Sequence, residues 1–487
     1  MKNTKRYIYP LLLSGLLALG AACTKKSSNG GDDGGGTTPV TPPPVTPVKT
    51  DVNMWLTQAD QSQLLKKQNV SLLFASGTNS NTTINVDTTQ TYQTIDGFGF
   101  ALTGGSAYLL NSLDATHKTA LLNELFATDS AHIGISYLRI TIGASDMSAA
   151  TFSYDDVPGD VSLSNFSLDK EKADLIPILQ KIIAINPNIK ILACPWSAPA
   201  WMKDNNNFYG GSLQAQYYGA YANYFVKYIQ GMKANGITID AVTPQNEPLN
   251  AYNNPAMLMV AADEANFIKN NLGPAFKAAN ITTKIICYDH NADHPEYATT
   301  ILGDAAANPY VDGSAFHLYG GSVNSIGPVH NAYPNKNLYF TEQATFGGGN
   351  FGGDLAWHIS NLIVGAIRNW CRNVLEWNLA SDPNYGPHTS GGCSTCLGAV
   401  TIGGANVTRN VSYYIIAHAS KFVRPGAVRI ASDQQNTLLN VAFKNTDGSK
   451  VLIVLNTSAS AQQFNVGFNS KIVSTSLPGG AVATYIW

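Results

Sequence analysis

The sequence carries little charge: Asp, Glu, Lys and Arg make up 13% of its 487 residues, and the net charge is −2. No basic stripe gathers along it, which excludes the electrostatic footprint of a nucleic-acid binder. Cysteine is scarce as well. After Cys23 come Cys194, Cys287, Cys371, Cys393 and Cys396, an odd number that argues against a dense disulfide framework. In an exported chain the Cys393 and Cys396 pair suits a local loop disulfide better than a lone C-x-x-C suits zinc. The apolar run from Leu11 to Leu19 is too short to span a membrane as a stable helix. No Gly-x-Gly-x-x-Gly turn opens the first β-α unit, which disfavours a dinucleotide-binding sheet. His290 and His294 are spaced like two metal ligands on one helix face, but Pro295 follows them and no H-E-x-x-H is present, so neither metal nor other cofactor is expected. Aromatic residues are plentiful. The 23 Tyr, 18 Phe and 7 Trp suit a surface that stacks against neutral rings such as sugars.

Lys2, Lys5 and Arg6 precede the apolar run and Gly20-Ala21-Ala22-Cys23 closes it, the layout of a secretory signal over residues 1–22. The cysteine after small residues resembles a bacterial lipobox with lipid on Cys23, although Gly20 stands where a larger aliphatic is usual. Residues 23–50, rich in Gly, Asp, Thr and Pro, lack the apolar side chains needed to order themselves and read as a tether. An exported protein, lipid-anchored at a bacterial outer membrane, is the expectation.

From about residue 92 short apolar runs alternate with helical patterns, the signature of repeated β-α units. The candidate strands are Ile95 to Leu102, Tyr137 to Ile142, Ile189 to Pro195, Ala241 to Gln245, Lys284 to Tyr288, Gly313 to Leu318, Asn337 to Thr341 and Val374 to Asn378. Between two of them, residues 216–233 carry Tyr, Phe, Val and Ile at helical spacing. Eight such units predict a (β/α)8 barrel over residues 92–420. The tail, residues 421–487, reads as all-β. Residues 51–91, with candidate strands at Val70 to Ala75 and Thr83 to Val86, are expected to join it in a β-sandwich built from both chain ends.

Polar and aromatic residues cluster where these strands end: Arg139, Asp146, Trp196, Asn246, Glu247, His317, Tyr319, Glu342 and Trp377. In a barrel these positions share the C-terminal mouth. Glu247 ends the fourth strand and Glu342 the seventh, so their side chains reach in from opposite sides and can flank a sugar. A retaining glycosidase needs one protonated and one ionised carboxyl about 5 to 5.5 Å apart. Glu247 is assigned as acid/base and Glu342 as nucleophile, with the charge on Glu342 expected to raise the pKa of Glu247.

These motifs together resemble glycoside hydrolase family 30, the group of glucosylceramidases and β-1,6-glucanases, from about Asp51 to Trp487. They are Asp96-Gly97-Phe98-Gly99-Phe100-Ala101-Leu102-Thr103, Leu138-Arg139 with Ser145-Asp146, Pro195 through Lys203, Gln245-Asn246-Glu247-Pro248, Phe316-His317-Leu318-Tyr319, Thr341-Glu342 and Glu376-Trp377-Asn378-Leu379. The resemblance implies the same barrel with its sandwich, the same two glutamate roles, and Asn246 on a 2-hydroxyl. It also implies Asp146, Trp196 and Trp377 around the glucose, and Arg139 and Tyr319 orienting the nucleophile and keeping it ionised. His317 and Tyr319 are further candidates for substrate contact. Phe100, Gln343-Ala344 and the stretch Asp382 to Ile402 depart from the glucosylceramidases, which favours a β-1,6-glucan substrate. Glucosylceramidase, an exo-acting β-glucosidase or β-xylosidase, and a non-catalytic glycan-binding lipoprotein are the alternatives.

Overall fold

The computed structural model describes residues 48–129 and 131–487, so the signal, Cys23 and most of the tether lie outside the described residues. Eight parallel strands close into a barrel: Gly97–Leu102, Tyr137–Thr141, Lys190–Cys194, Ala241–Val242, Lys284–Ala292, Val311–Gly321, Asn337–Glu342 and Cys371–Asn378. Each pairs with the next and the last returns to the first, Val374 lying opposite Phe98. They are the eight segments read from sequence with their ends moved. Helices cover the outside; the one expected over residues 216–233 runs Tyr218–Ala234 and buries Tyr221, Tyr224, Phe225, Tyr228 and Met232.

The strand period of two sorts the barrel interior into layers. Tyr137, Leu192, Ala241, Ile286, Ala315, Tyr339 and Leu375, one from each of seven strands, form a buried apolar layer. The remaining strand contributes Gly99, which pairs with both Leu375 and Tyr137 and has no room for a side chain, because a Cβ there would lie 1.9 Å from the Tyr137 carbonyl oxygen. Two residues further along six of these strands come Arg139, Cys194, Thr243, His317, Thr341 and Trp377, the floor of the mouth. The fifth strand breaks this rule. Its register with the sixth shifts between Tyr288 and His290, and Tyr288 and Asp289 take positive φ of 75° and 64°. This bulge turns Asp289 into the barrel where alternation would place Tyr288, which joins the larger hydrophobic core instead.

The sandwich uses both chain ends, as expected. Asn53–Thr57 pairs with Val482–Ile486, and Thr82–Thr94 pairs with Val428–Ser432 along one stretch and with Gln462–Phe468 along another. Met54, Leu56, Ile84, Val86, Leu452, Val454, Phe464 and Tyr485 meet in its core. The strand expected at Val70 to Ala75 is not one. Only Ala75 makes a bridge, to Ile472, and only Leu72 is buried, its carbonyl accepting from the amides of Asp51 and Val52. His418, on the helix Val411–Ser420, fastens barrel to sandwich: its ring nitrogens bond the hydroxyls of Thr57 at 2.8 Å and Thr484 at 2.9 Å.

Candidate active site

Arg139 is fully buried beneath the mouth and reaches three oxygens. Nη1 donates to Glu342 Oε2 at 2.6 Å; Nη2 donates to Asn246 Oδ1 at 2.6 Å and to Asp289 Oδ2 at 2.8 Å. Two fixed donors on one planar group therefore set the positions of Glu342 and Asp289 together. Tyr319 donates its hydroxyl to the other Glu342 oxygen at 3.0 Å. Above the guanidinium lie Trp196 and Trp377, whose ring centroids are 4.8 and 5.9 Å from Arg139 Cζ and 5.3 Å from each other.

Glu247 sits on a turn at φ 44°, left-handed for a residue with a Cβ, and its amide is held by the Asp289 carbonyl at 3.0 Å. Asn250 Nδ2 donates to Oε2 at 2.7 Å, while His317 Nδ1 stands 3.2 Å from Oε1. The opposite ring nitrogen of His317 lies 3.0 Å from Asp289 Oδ1. One oxygen each of Glu247 and Glu342 and one nitrogen of His317 lie within 4.8 Å of one another.

A cleft of about 270 Å³ opens over these groups, lined by Asp146, Trp196, Glu247, Tyr319, Glu342 and Trp377 among others. It has room for one sugar ring at the floor. Cys393 and Cys396 form a disulfide in the cleft wall. Asn246 is buried behind the wall with its carbonyl oxygen on Arg139. His317, a sequence candidate for substrate contact, is fully buried between Glu247 and Asp289 and holds the Glu247 carboxyl from below. His290 lies on the fifth strand and His294 just before the helix Pro295–Gly303, where it pairs with Glu296, so they share no helix face.

Comparison with known proteins bears on this arrangement directly. The description Glycosyl hydrolase family 30 TIM-barrel domain matches residues 95–423, and Glycosyl hydrolase family 30 beta sandwich domain matches residues 426–485. The chain belongs to glycoside hydrolase family 30. An endo-1,6-beta-D-glucanase of Neurospora crassa is 38% identical over 404 residues, 78% of this chain and 82% of that one. A putative glucosylceramidase of Caenorhabditis elegans is 32% identical over 397 residues, 76% of this chain and 75% of the other. A solved endo-beta1,6-glucanase superposes with a TM-score of 0.83 at 38% identity, covering 90% of this chain and 99% of its own.

The electrostatics of this family 30 glycoside hydrolase differ from the sequence expectation. Burial pushes the Glu247 carboxyl up, but His317 outweighs it through a hydrogen bond and charge and brings it down to about 2. The upward shift expected from Glu342 is therefore not the outcome: the hydrogen bond and charge of His317, with His290 and Asn250, set the net direction downward. The cation itself is held by its surroundings. Burial lowers His317, yet Glu342, Asp289 and Glu247 lift it to about 9. Glu342 is raised, first by burial and against the pull of His317 and Arg139, so these cations moderate the shift without reversing it. Asp146 rises to about 7 through burial and the charge of Glu342. Asp289 is the member that sequence reasoning missed. Burial notwithstanding, Arg139 and His317 hold it well below the usual carboxylate range. Asn250, Asn253 and Phe346 also line the cleft, and their sequence signal is proximity to Glu247 and Glu342 alone.

Proposed function

We propose that the protein is a retaining endo-β-1,6-glucanase that works by double displacement, with Glu342 as nucleophile and Glu247 as acid/base. The observation that carries the mechanism is the closeness of the two carboxyls, one oxygen of each lying within 4.8 Å of the other. Retaining enzymes hold the two carboxyls about 5 to 5.5 Å apart, whereas inverting ones need about 6.5 to 9.5 Å to admit water. Glu342 attacks the anomeric carbon while Arg139 and Tyr319 hold both its oxygens in line. The leaving oxygen takes a proton from Glu247, and water then attacks the ester with Glu247 as base.

The proton for the first step is stored on the His317–Glu247 pair. Before substrate binds we assign it to His317 Nδ1, against Glu247 Oε1. A sugar that fills the cleft expels water and favours the neutral pair, imidazole beside carboxylic acid, over two separated charges. Glu247 is then ready to donate. Asp289 keeps its charge throughout and fixes the Nε2 proton of the ring.

The substrate reading is supported by the names of the relatives, endo-1,6-beta-D-glucanase at 38% identity against putative glucosylceramidase at 32%. Export and lipid attachment at Cys23 belong to the same proposal, placing the enzyme where an external glucan is met. Product analysis over time on pustulan, laminarin and glucosylceramide tests it. Short β-1,6-linked oligomers from pustulan are expected. Release of glucose alone would replace endo with exo action, cleavage of glucosylceramide alone would replace the substrate, and binding without cleavage would make the protein a glycan-binding lipoprotein.

A further inference from the structure

We propose that the Cys393–Cys396 disulfide is a positioning element of the sugar site, acting through Asp146; this rests on the glycosidase reading above. Asp146 lines the cleft beside Asn253, whose side chain stands near its carboxyl, and its buried Oδ1 lacks a partner of good hydrogen-bond geometry, which leaves an acceptor for a sugar hydroxyl. The rest of that residue is fixed from the disulfide loop. The Cys393 amide donates to Oδ2 at 3.3 Å, and the Thr389 amide donates to the Asp146 carbonyl at 2.8 Å. The loop approaches so closely that a Cβ on Gly392 would lie 2.5 Å from the Asp146 carbonyl oxygen.

The other end of the cross-link is tied to the catalytic strands. Cys396–Leu397 pairs antiparallel with Thr345–Phe346, directly after Glu342, and Asn378 Nδ2 donates to the Cys396 carbonyl at 3.4 Å. Asn254, on the loop that follows Glu247, donates to the Ser390 carbonyl at 2.8 Å. One short loop thus joins the segments that carry Asp146, Glu247, Glu342 and Trp377. Gly391 and Gly392 precede the first cysteine and make this stretch of backbone permissive, and its apolar contacts with Met147, Trp196, Ala344 and Trp377 are made by the two cysteines themselves, so the bridge adds the constraint that the glycines lack. The covalent link closes the Cys393 to Cys396 turn and so transmits the fixed position of the strand after Glu342 to the amide that orients Asp146.

A double-mutant cycle tests this with a probe of the sugar site alone. Cys393→Ser/Cys396→Ser, Asp146→Ala and the triple variant are titrated calorimetrically with the gluco-configured iminosugar 1-deoxynojirimycin. Loss of the bridge is expected to weaken binding roughly tenfold, and the triple variant to bind about as weakly as Asp146→Ala, because both changes remove one interaction. Unchanged affinity without the bridge, or fully additive losses, would overturn the proposal. If the serine variant does not fold, the native enzyme is reduced instead with dithiothreitol, whose two thiols give two electrons and two protons to the bridge and close to a cyclic disulfide. The same loss, reversed on reoxidation, is expected, and its absence is equally fatal. Hydrolysis of pustulan by the native enzyme is measured alongside. No hydrolysis with the coupling intact sinks only the substrate reading.

Discussion

Replacing Asp289 by Asn changes one atom and removes the charge on which the floor of the site is built. Oδ2 accepts from Arg139, Thr243 and Cys194, and Oδ1 accepts from His317 and Thr341. An Asn side chain must turn an NH2 toward one of these two donor sets. The lower-cost choice faces it to His317, whose Nε2 can become an acceptor by giving up its proton. His317 is then neutral, and Arg139 keeps Glu342 but loses its other buried counter-charge. At the 2.8 Å contact, an effective dielectric near 20 gives a gross attraction of ~6 kcal/mol, and breaking a buried pair costs about 3–5 kcal/mol net. Thermal unfolding should therefore occur on the order of 3–5 °C lower. Turnover of pustulan should fall on the order of a hundredfold, since Glu342 and the proton store lose their alignment together. Calorimetry and reducing-sugar release between pH 4 and 10 measure both. A variant with native melting temperature and kcat/KM within twofold of the parent would refute the reasoning.

The pH profile carries the second prediction. The His317–Glu247 pair loses its one proton as pH rises through about 9, so the basic limb of kcat/KM lies there; the same raised pKa means that the stability from this pair is complete below about 6.5 and lost by about 9. His317→Gln leaves Glu247 to hold the proton alone and should lower the basic limb by roughly two pH units. A limb that stays in place would exclude His317 as the store. His418 predicts an acid effect. Burial lowers it to about 3, so its contribution is present above about 6.5 and declines as pH falls toward 3, with about 2 kcal/mol already lost at pH 5. In chemical denaturation His418→Gln should show a flatter loss between pH 7 and 5, and an unchanged slope would contradict this. Glu247→Gln and Glu342→Gln should each lower pustulan hydrolysis at least about a thousandfold, and azide should restore turnover to Glu342→Gly but not to Glu342→Gln.

The barrel is legible in the sequence because its strands are buried on both faces and read as largely apolar runs, as in Gly97–Leu102. The same contrast marks the site, since Glu342 closes the run of Asn337–Glu342 and Arg139 stands out within Tyr137–Thr141. Asp289 is not recoverable by alternation: a bulge moves it to the face that Tyr288 should occupy, and a bulge depends on partner strands rather than on local sequence. His317 follows the barrel period correctly, but its contacts are with Glu247 and Asp289, which are 70 and 28 residues away, so its role as a support needed three-dimensional distances. Near the start of the folded body the apolar Val70 to Ala75 run suggests a strand, while Asn53–Thr57, where Met54 and Leu56 are buried on either side of half-buried Trp55, is the one that pairs. The choice between them is made by the strand Val482–Ile486, more than 400 residues away, which Asn53–Thr57 joins in register.

The assignment of Glu342 as nucleophile is tested most directly by trapping. A 2-deoxy-2-fluoro-β-glucosyl fluoride slows release of the glycosyl-enzyme more than its formation, and proteolysis followed by peptide mass spectrometry locates the ester. The sugar is expected on the peptide containing Leu338-Tyr339-Phe340-Thr341-Glu342, with fragmentation placing it on Glu342. Label on Glu247, or a first product of inverted anomeric configuration by NMR, would contradict the account.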